Sequence, residues 1–258
     1  MIPFVKYQGS GNDFVIIDAR NQEVKDLDVA AICHRRFGVG ADGLMLLAPH
    51  PELDFTMVYY NSDGNLSSMC GNGGRCIAHF AHQLGLGNHG MLRFMAVDGP
   101  HEAIVKGNEV SLQMIDVGAP EFRDAQTAVL NTGSPHYVQF VSADPEELDV
   151  VKLAREIRYN AEFSKNGINV NFVHIHEPQW LRMRTYERGV EDETYSCGTG
   201  VTAAALAYAS SHPSVNGPVR VDTPGGRLSV QFARLNNGFT QVVLNGPAVR
   251  VFEGILPE

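Results

Sequence analysis

The chain has 258 residues, 44% apolar and 19% charged, enough for one large domain or two of ordinary size. A formal net charge of −9 with no basic run argues against nucleic acid and anionic membrane as partners. No apolar run approaches the ~20 residues of a membrane helix, and no signal-peptide pattern is present, so a cytoplasmic protein is expected.

The first stretch with a readable plan is Gly9-Ser10-Gly11-Asn12-Asp13, followed by the strand-like Phe14-Val15-Ile16-Ile17. Leu27-Asp28-Val29-Ala30 then predicts a helix with Ile32, Cys33 and Phe37 on one face. Gly38-Val39-Gly40-Ala41-Asp42-Gly43 fits G-x-G-x-x-G, but a helix precedes it and a strand follows. A dinucleotide fingerprint needs strand, loop, helix, so these residues are read as a turn. After Tyr60-Asn61 comes Met69-Cys70-Gly71-Asn72-Gly73-Gly74-Arg75-Cys76, which opens a helix carrying Ile77, Phe80, Ala81 and Leu84 and stopping at Gly85. A hairpin over residues 103–114 turns at Gly107-Asn108.

The plan then repeats. Asn131-Thr132-Gly133-Ser134-Pro135-His136 leads into Tyr137-Val138-Gln139-Phe140-Val141, with Gly133 lying 122 residues after Gly11. Leu148-Asp149-Val150-Val151 echoes Leu27-Asp28-Val29-Ala30 at 121, in a helix predicted to have Asp144 as N-cap and Pro145 at its first position. Tyr186-Glu187 follows Tyr60-Asn61 at 126, and Ser196-Cys197-Gly198-Thr199-Gly200 places Cys197 127 residues after Cys70. Residues 201–209 are apolar almost all round, as in a buried helix. A second hairpin over 227–244 turns at Asn236-Asn237-Gly238. Five pieces in order at a nearly constant offset point to a duplication.

The expected fold is α+β, in two pseudo-symmetric domains. Each is a mostly antiparallel strand layer wrapped around a central helix, with the active site in the cleft between them. The domains are expected at residues 1–117, with 247–258 returning to that half, and at 118–246. Many short strands and few helices argue against a doubly wound parallel sheet.

Each half therefore presents a cysteine at the start of a buried helix, where free amides and the helix dipole favour a thiolate and an anion. Two such thiols on opposite faces of one small carbon acid are what a two-base racemase requires. The substrate carboxylate would lie on the amides of Gly71, Asn72, Gly198 and Thr199. No metal is expected: Cys70 and Cys76 are too far apart for a usual zinc pair, and the absence of C-x-x-C ranks a thiol redox protein low. Cys76 and Cys33 are expected in the core. Arg188 could fork onto a carboxylate and Glu187 could take an ammonium, although Glu-Arg is commonly a solvated pair. His136, Asn12, Asn61 and Asn169 carry only modest weight as single residues.

With these residues in view, the sequence resembles diaminopimelate epimerase. The resemblance rests on Gly9 to Phe14, Gly38 to Gly43, Tyr60-Asn61-Ser62-Asp63-Gly64, Met69 to Cys76 and Asn131 to His136. It continues through Gly167-Ile168-Asn169-Val170, Glu187-Arg188-Gly189, Glu193 to Gly200 and Asp222-Thr223-Pro224-Gly225-Gly226, in family order. It implies an epimerase without cofactor that converts LL-2,6-diaminopimelate to the meso form, in the cytoplasm and as a homodimer. By this similarity Cys70 and Cys197 are the acid/base pair, and Gly71-Asn72 and Gly198-Thr199 bind the reacting carboxylate. Asn12, Asn61, Asn169 and Arg188 hold the substrate, and His136 and Glu187 tune the thiols. The chain departs from the family pattern at Ser134, at Gly43 and in a loop, Val190-Glu191-Asp192, one residue longer than usual. A proline or hydroxyproline racemase is the nearest alternative. Proline would leave Glu187, Arg188 and the asparagines unpaired.

Overall fold

The computed structural model describes residues 1–22, 24, 26–67 and 69–256. The chain divides into two compact units, Met1–Leu112 with Gly246–Glu258, and Gln113–Asn245. In chain order the first unit holds β1 (Ile2–Gly9), β2 (Asn12–Asp18), α1 (Val29–Cys33), β3 (Gly43–Ala48), β4 (Phe55–Asn61), α2 (Gly71–Gln83), β5 (Met91–Ala96), β6 (Gly99–Lys106) and β7 (Glu109–Gln113). The second holds β8 (Val117–Gly118), β9 (Glu121–Phe122), β10 (Thr127–Asn131), β11 (Pro135–Phe140), α3 (Val150–Arg158), β12 (Asn169–Glu177), β13 (Trp180–Glu187), β14 (Asp192–Thr194), α4 (Gly198–Ser211), β15 (Val219–Thr223), β16 (Gly226–Leu235) and β17 (Gly238–Pro247). The last strand, β18 (Val249–Leu256), runs antiparallel along β1, with Ile2 opposite Leu256. It is further tied to the first unit where Ala248 N–H donates to Asn108 O at 2.8 Å.

Residues 113–117 fall in the second unit for a backbone reason. Met114 N–H donates to Val242 O at 2.8 Å, and Val117 lies opposite Phe239 in the ladder. The division is therefore at Leu112, not at Val117.

The fold is a two-domain repeat, and the pairing order repeats with it. In the first unit β1–β2 is antiparallel, β2–β3 parallel, β3–β4 antiparallel, β4–β5 parallel, and β5–β6–β7 antiparallel. In the second, β10–β11, β11–β12, β12–β13, β13–β15 and β15–β16–β17 follow the same alternation. Each parallel pair needs a crossover, and an α-helix bridges each. Within its own unit α2 packs on β1, β2, β3, β5 and β6, and α4 on β10, β11, β12, β13, β15 and β16. All residues from Gly71 to Ala81 of α2 are buried, as are those from Gly200 to Ala209 of α4. Strands that cover a helix on one face and carry apolar neighbours on the other read as continuous apolar runs, as β2 does at Phe14, Val15, Ile16 and Ile17.

Two local expectations are corrected. α1 ends at Cys33, and Phe37 is 88% exposed. The chain folds back on the helix: Gly38 N–H donates to His34 O and Gly40 N–H to Ile32 O. A Cβ at Gly38 would lie 2.1 Å from Ala31 O, so glycine permits this close return, which carries Phe37 off the helical face. In the second unit Asp144 caps a single 3-10 turn, Pro145–Glu147, and not α3. Leu148 is extended, and Asp149 caps α3 by accepting from Lys152 N–H at 3.2 Å. Asp28 does the same for α1 through Ala31 N–H, so the two Leu-Asp-Val pieces are equivalent helix starts.

Candidate active site

Each unit builds one half-site at a helix N-terminus. In the first, Cys70 is the N-cap of α2, and its sulfur accepts from Gly73 N–H at 3.5 Å. A sulfur held here meets both a free amide and the positive end of the helix dipole. Asn12, at the start of β2, donates through Nδ2 to Asp42 at 2.5 Å, which turns its Oδ1 toward Cys70 Sγ at 3.6 Å and Asn72 Nδ2 at 3.5 Å. Asn72 is oriented from the other side, because its Oδ1 accepts from Arg75 at 3.1 Å. Carboxylate, two amides and guanidinium thus form one directed chain along the half-site.

Asp42, which the sequence suggests only as a turn residue, belongs to this candidate site through Asn12. Its Oδ2 also accepts from Asp13 N–H at 3.1 Å, and its Oδ1 accepts from Arg35 at 2.6 Å. Asp13 pairs with Arg35 at 2.8 Å and with Lys6 at 2.7 Å, and Lys6 also donates to Gly40 O. Burial works against the Asp13 carboxylate, yet hydrogen bonds from Arg35 and Lys6 and their charges hold it down to about 2. The signal was an Asn-Asp pair and a Gly-rich Asp segment, unremarkable in sequence until the parallel β2–β3 pairing brings them together. Asn61 stands at the end of β4 opposite Gly43, part-exposed. A Cβ at Gly43 would come within 2.5 Å of the Tyr59 ring and Tyr60 O, so this position leaves no space for a side chain.

In the second half-site Cys197 is the N-cap of α4 and is buried. Thr199 Oγ1 lies 3.4 Å from its sulfur and 2.9 Å from His136 Nε2. The network assigns the proton positions. Asn171 donates to Tyr137 O at 3.0 Å and accepts through Oδ1 from Thr185 Oγ1 at 3.0 Å. Its remaining N–H therefore points to His136 Nδ1 at 3.1 Å, so His136 carries its proton on Nε2 and donates to Thr199. The Thr199 hydroxyl links the ring to the Cys197 sulfur through a hydrogen bond in which either group can donate. Burial, with the nearby Arg188 charge, lowers the His136 pKa to about 3, so the ring is neutral at physiological pH. His136 thus reaches Cys197 through Thr199. Asn171, Thr185 and Thr132, which donates to Thr199 O at 2.8 Å, went unnoticed in the sequence because each is an ordinary strand or turn residue.

Asn169 is buried, donates to Ser134 Oγ at 2.9 Å and Pro135 O at 3.1 Å, and accepts from Arg188 N–H at 2.9 Å. Ser134 therefore has a definite partner, and Asn169 fixes the backbone that presents Arg188. The exposed Arg188 side chain lies across Gly167, where a Cβ would meet its Cδ at 2.4 Å, and donates to Asn166 O at 2.9 Å. Glu187 accepts from Thr194 Oγ1 at 2.5 Å. The longer loop is anchored by Glu191, which accepts from Arg158, Tyr159 and Tyr186. Cys76 and Cys33 are both buried, and burial pushes Cys33 up to about 11 and Cys76 higher still, so both remain thiols.

Two cysteine-capped helix starts with directed polar chains suit acid/base work on a carbon next to a carboxylate. The family model for diaminopimelate epimerase matches residues 4–122 and 128–251. The chain belongs to the diaminopimelate epimerase family. It is 47% identical over 252 residues to a diaminopimelate epimerase of Flavobacterium psychrophilum, covering 96% of this chain and 97% of that one. Family membership makes it an isomerase of the epimerase type acting on a small amino acid. Among solved structures, a Bacillus anthracis phenazine biosynthesis protein of the PhzF family shares the fold, with a TM-score of 0.75 and 16% identity over 100% of this chain and 99% of that one. A probable proline racemase from Agrobacterium radiobacter, solved with carbonate, has a TM-score of 0.70 and 13% identity over 100% and 93%. At these identities the likeness is one of fold. Among the described residues no helix is long and apolar enough to cross a membrane.

Proposed function

We propose that this epimerase interconverts LL-2,6-diaminopimelate and meso-diaminopimelate without a cofactor, with Cys70 and Cys197 as the acid/base pair. The observation that carries this reading is the repeated cysteine N-cap: each unit supplies one sulfur beside free helix amides. One thiolate takes the α-proton, and the thiol of the other unit returns a proton to the opposite face. The amides of Gly71, Asn72, Gly198 and Thr199 hold the reacting carboxylate and stabilise the charge that builds on it as the proton leaves. Asn12 and Asn61 bind substrate, Arg188 forks onto the distal carboxylate, and Asn169 acts by holding the Arg188 backbone. Glu187 takes an ammonium and, with His136, tunes the thiols. The same reading carries a cytoplasmic homodimer, the assembly being checked by sedimentation.

The test is incubation in D₂O with LL- and meso-diaminopimelate, proline and hydroxyproline. Deuterium at the α-carbon with a change of optical rotation is expected for diaminopimelate alone. Exchange with proline or hydroxyproline instead would transfer the assignment to the racemases of the same fold.

A further inference from the structure

Arg75 is fully buried in α2, yet among the described residues no carboxylate lies within ion-pairing distance of it. Among the described residues its guanidinium donates to neutral acceptors: Ser10 Oγ and Asn72 Oδ1 at 3.1 Å, and Gly71 O and Pro247 O at 3.4 Å. A buried charge without a counter-ion is costly, and an arginine cannot shed its proton to escape that cost. Burial does press its pKa down, and the groups whose negative charge would favour it are Cys76, Cys70 and Glu109.

Capping alone does not call for this charge, because the repeat contains the neutral alternative. At the position 127 residues later, Thr202 of α4 is equally buried, and its hydroxyl donates to Gly198 O at 3.0 Å. Gly198 is the equivalent of Gly71, whose carbonyl Arg75 serves. A hydroxyl therefore does the same local work in the same fold.

Building on the proposed role of Cys70 as a proton carrier, we propose that Arg75 is the fixed positive charge of the first half-site. It is a positioning residue that holds Cys70 as a thiolate in the empty protein and strengthens the seat for a carboxylate on the Gly71 and Asn72 amides. Cys76 cannot be the counter-ion, because burial keeps it protonated. Glu109 stands exposed at the start of β7. The other ionisable groups around α2 are engaged or in water. Lys6, Asp13 and Arg35 pair together, Tyr7 bonds His79 at 3.0 Å, His101 bonds Asp98 at 2.8 Å, and Arg93, Glu102 and Lys106 are exposed. Asn12 Oδ1 favours the thiol through one long S–H···O contact. Against it stand the Gly73 N–H, the helix terminus and a whole charge.

The experiment is alkylation by iodoacetamide as a function of pH without substrate, quantified peptide by peptide so that Cys70 is read separately. In the wild-type protein Cys70 should titrate below the ~8.5 of a free cysteine. In Arg75→Gln its midpoint should rise by about one unit or more, with slower alkylation at neutral pH, and Arg75→Lys should restore most of it. An ordinary or raised midpoint in the wild type, or one unmoved by Arg75→Gln in a protein with native circular dichroism, overturns the inference. An ordinary or raised wild-type midpoint overturns the inference even where Arg75→Gln does not fold, and Arg75→Lys then supplies the folded comparison. Because no turnover is involved, a Cys70 midpoint depressed in the wild type and raised by Arg75→Gln, in a protein inactive on diaminopimelate, would sink the proposed reaction and leave the role of Arg75 standing.

Discussion

The two cysteine-capped helices share a backbone and differ in what surrounds it. Phe14, Met45 and Tyr59 line the first at three ladder positions, and His136, Asn171 and Thr185 occupy the equivalent positions of the second. The first trio packs by apolar contact, with the Phe14 and Tyr59 rings edge to face at 5.9 Å. The second is one hydrogen-bonded chain that ends at Thr199 and Cys197. The buried charge is on one side only: the apolar trio accompanies Arg75, and the polar chain accompanies the neutral Thr202. One fold thus supports a thiol in two ways, by a fixed charge or by oriented neutral donors.

The largest test of the comparison asks whether both halves are needed. Cys70→Ser and Cys197→Ser should each lower epimerisation by at least ~100-fold, since a hydroxyl is too weak an acid to supply the base. Cys33→Ser should change mainly stability. Near-normal turnover by either active-site variant would mean that only one half carries the proton chemistry.

Glycines beneath the two cysteines probe the packing. A Cβ at Gly200 would lie 2.5 Å from Asn171 Oδ1, itself held by Thr185, whereas at Gly73 the nearest atom is Met45 Sδ at 3.2 Å. Gly200→Ala should cost about 1–3 kcal/mol by overpacking. Gly73→Ala should cost less, because a thioether yields where the held Asn171 amide does not; the helix gain of alanine over glycine, about 1 kcal/mol, is common to both. Denaturant titration of both variants reads the difference, and equal losses would show that the polar trio is no stiffer than the apolar one.

Arg188 has no charged counterpart, since Ser62 stands at the matching place 126 residues earlier. Arg188→Lys keeps the charge and loses the fork, so kcat/KM for diaminopimelate should fall about tenfold. A wild-type value would return Arg188 to the surface role that its exposure allows.

The last comparison is of stability against pH. The folded pKa of His136, about 3, lies below its ordinary 6.5, because burial disfavours the charged ring. The unfolded chain therefore binds the extra proton between these values. Stability is whole above pH 6.5 and falls toward pH 3 by at most about 1.4 kcal/mol per unit. Asp13, held near 2, loses its contribution only below about pH 4, so in the window from pH 7 to 5 the slope comes from His136 together with His79, whose pKa burial also lowers. His136→Phe, the residue of the other half, should flatten the slope there. An unchanged slope would mean that the ring is not held neutral.

Much of this was written in the sequence. Repetition of short turn and cap motifs at a nearly constant offset predicted the duplicated fold, because such motifs are read from a few neighbouring residues. The same locality placed both cysteines at helix starts, where Gly-x-Gly and an apolar run follow each one. It failed where a helix boundary depends on the chain folding back, as at Phe37, or where two caps compete within six residues, as at Asp144 and Asp149.

The partners of the two thiols were decided by tertiary structure alone. Asp42 reaches Asn12, and Asn171 reaches His136, only because parallel strands bring together residues 30 and 35 positions apart. Arg75 looked like one more polar residue in a helix until the surrounding strands buried it. A sequence pattern records which residues can start a helix or turn a chain. It does not record which donors meet which acceptors, because that depends on strand register and on the direction in which each amide is held.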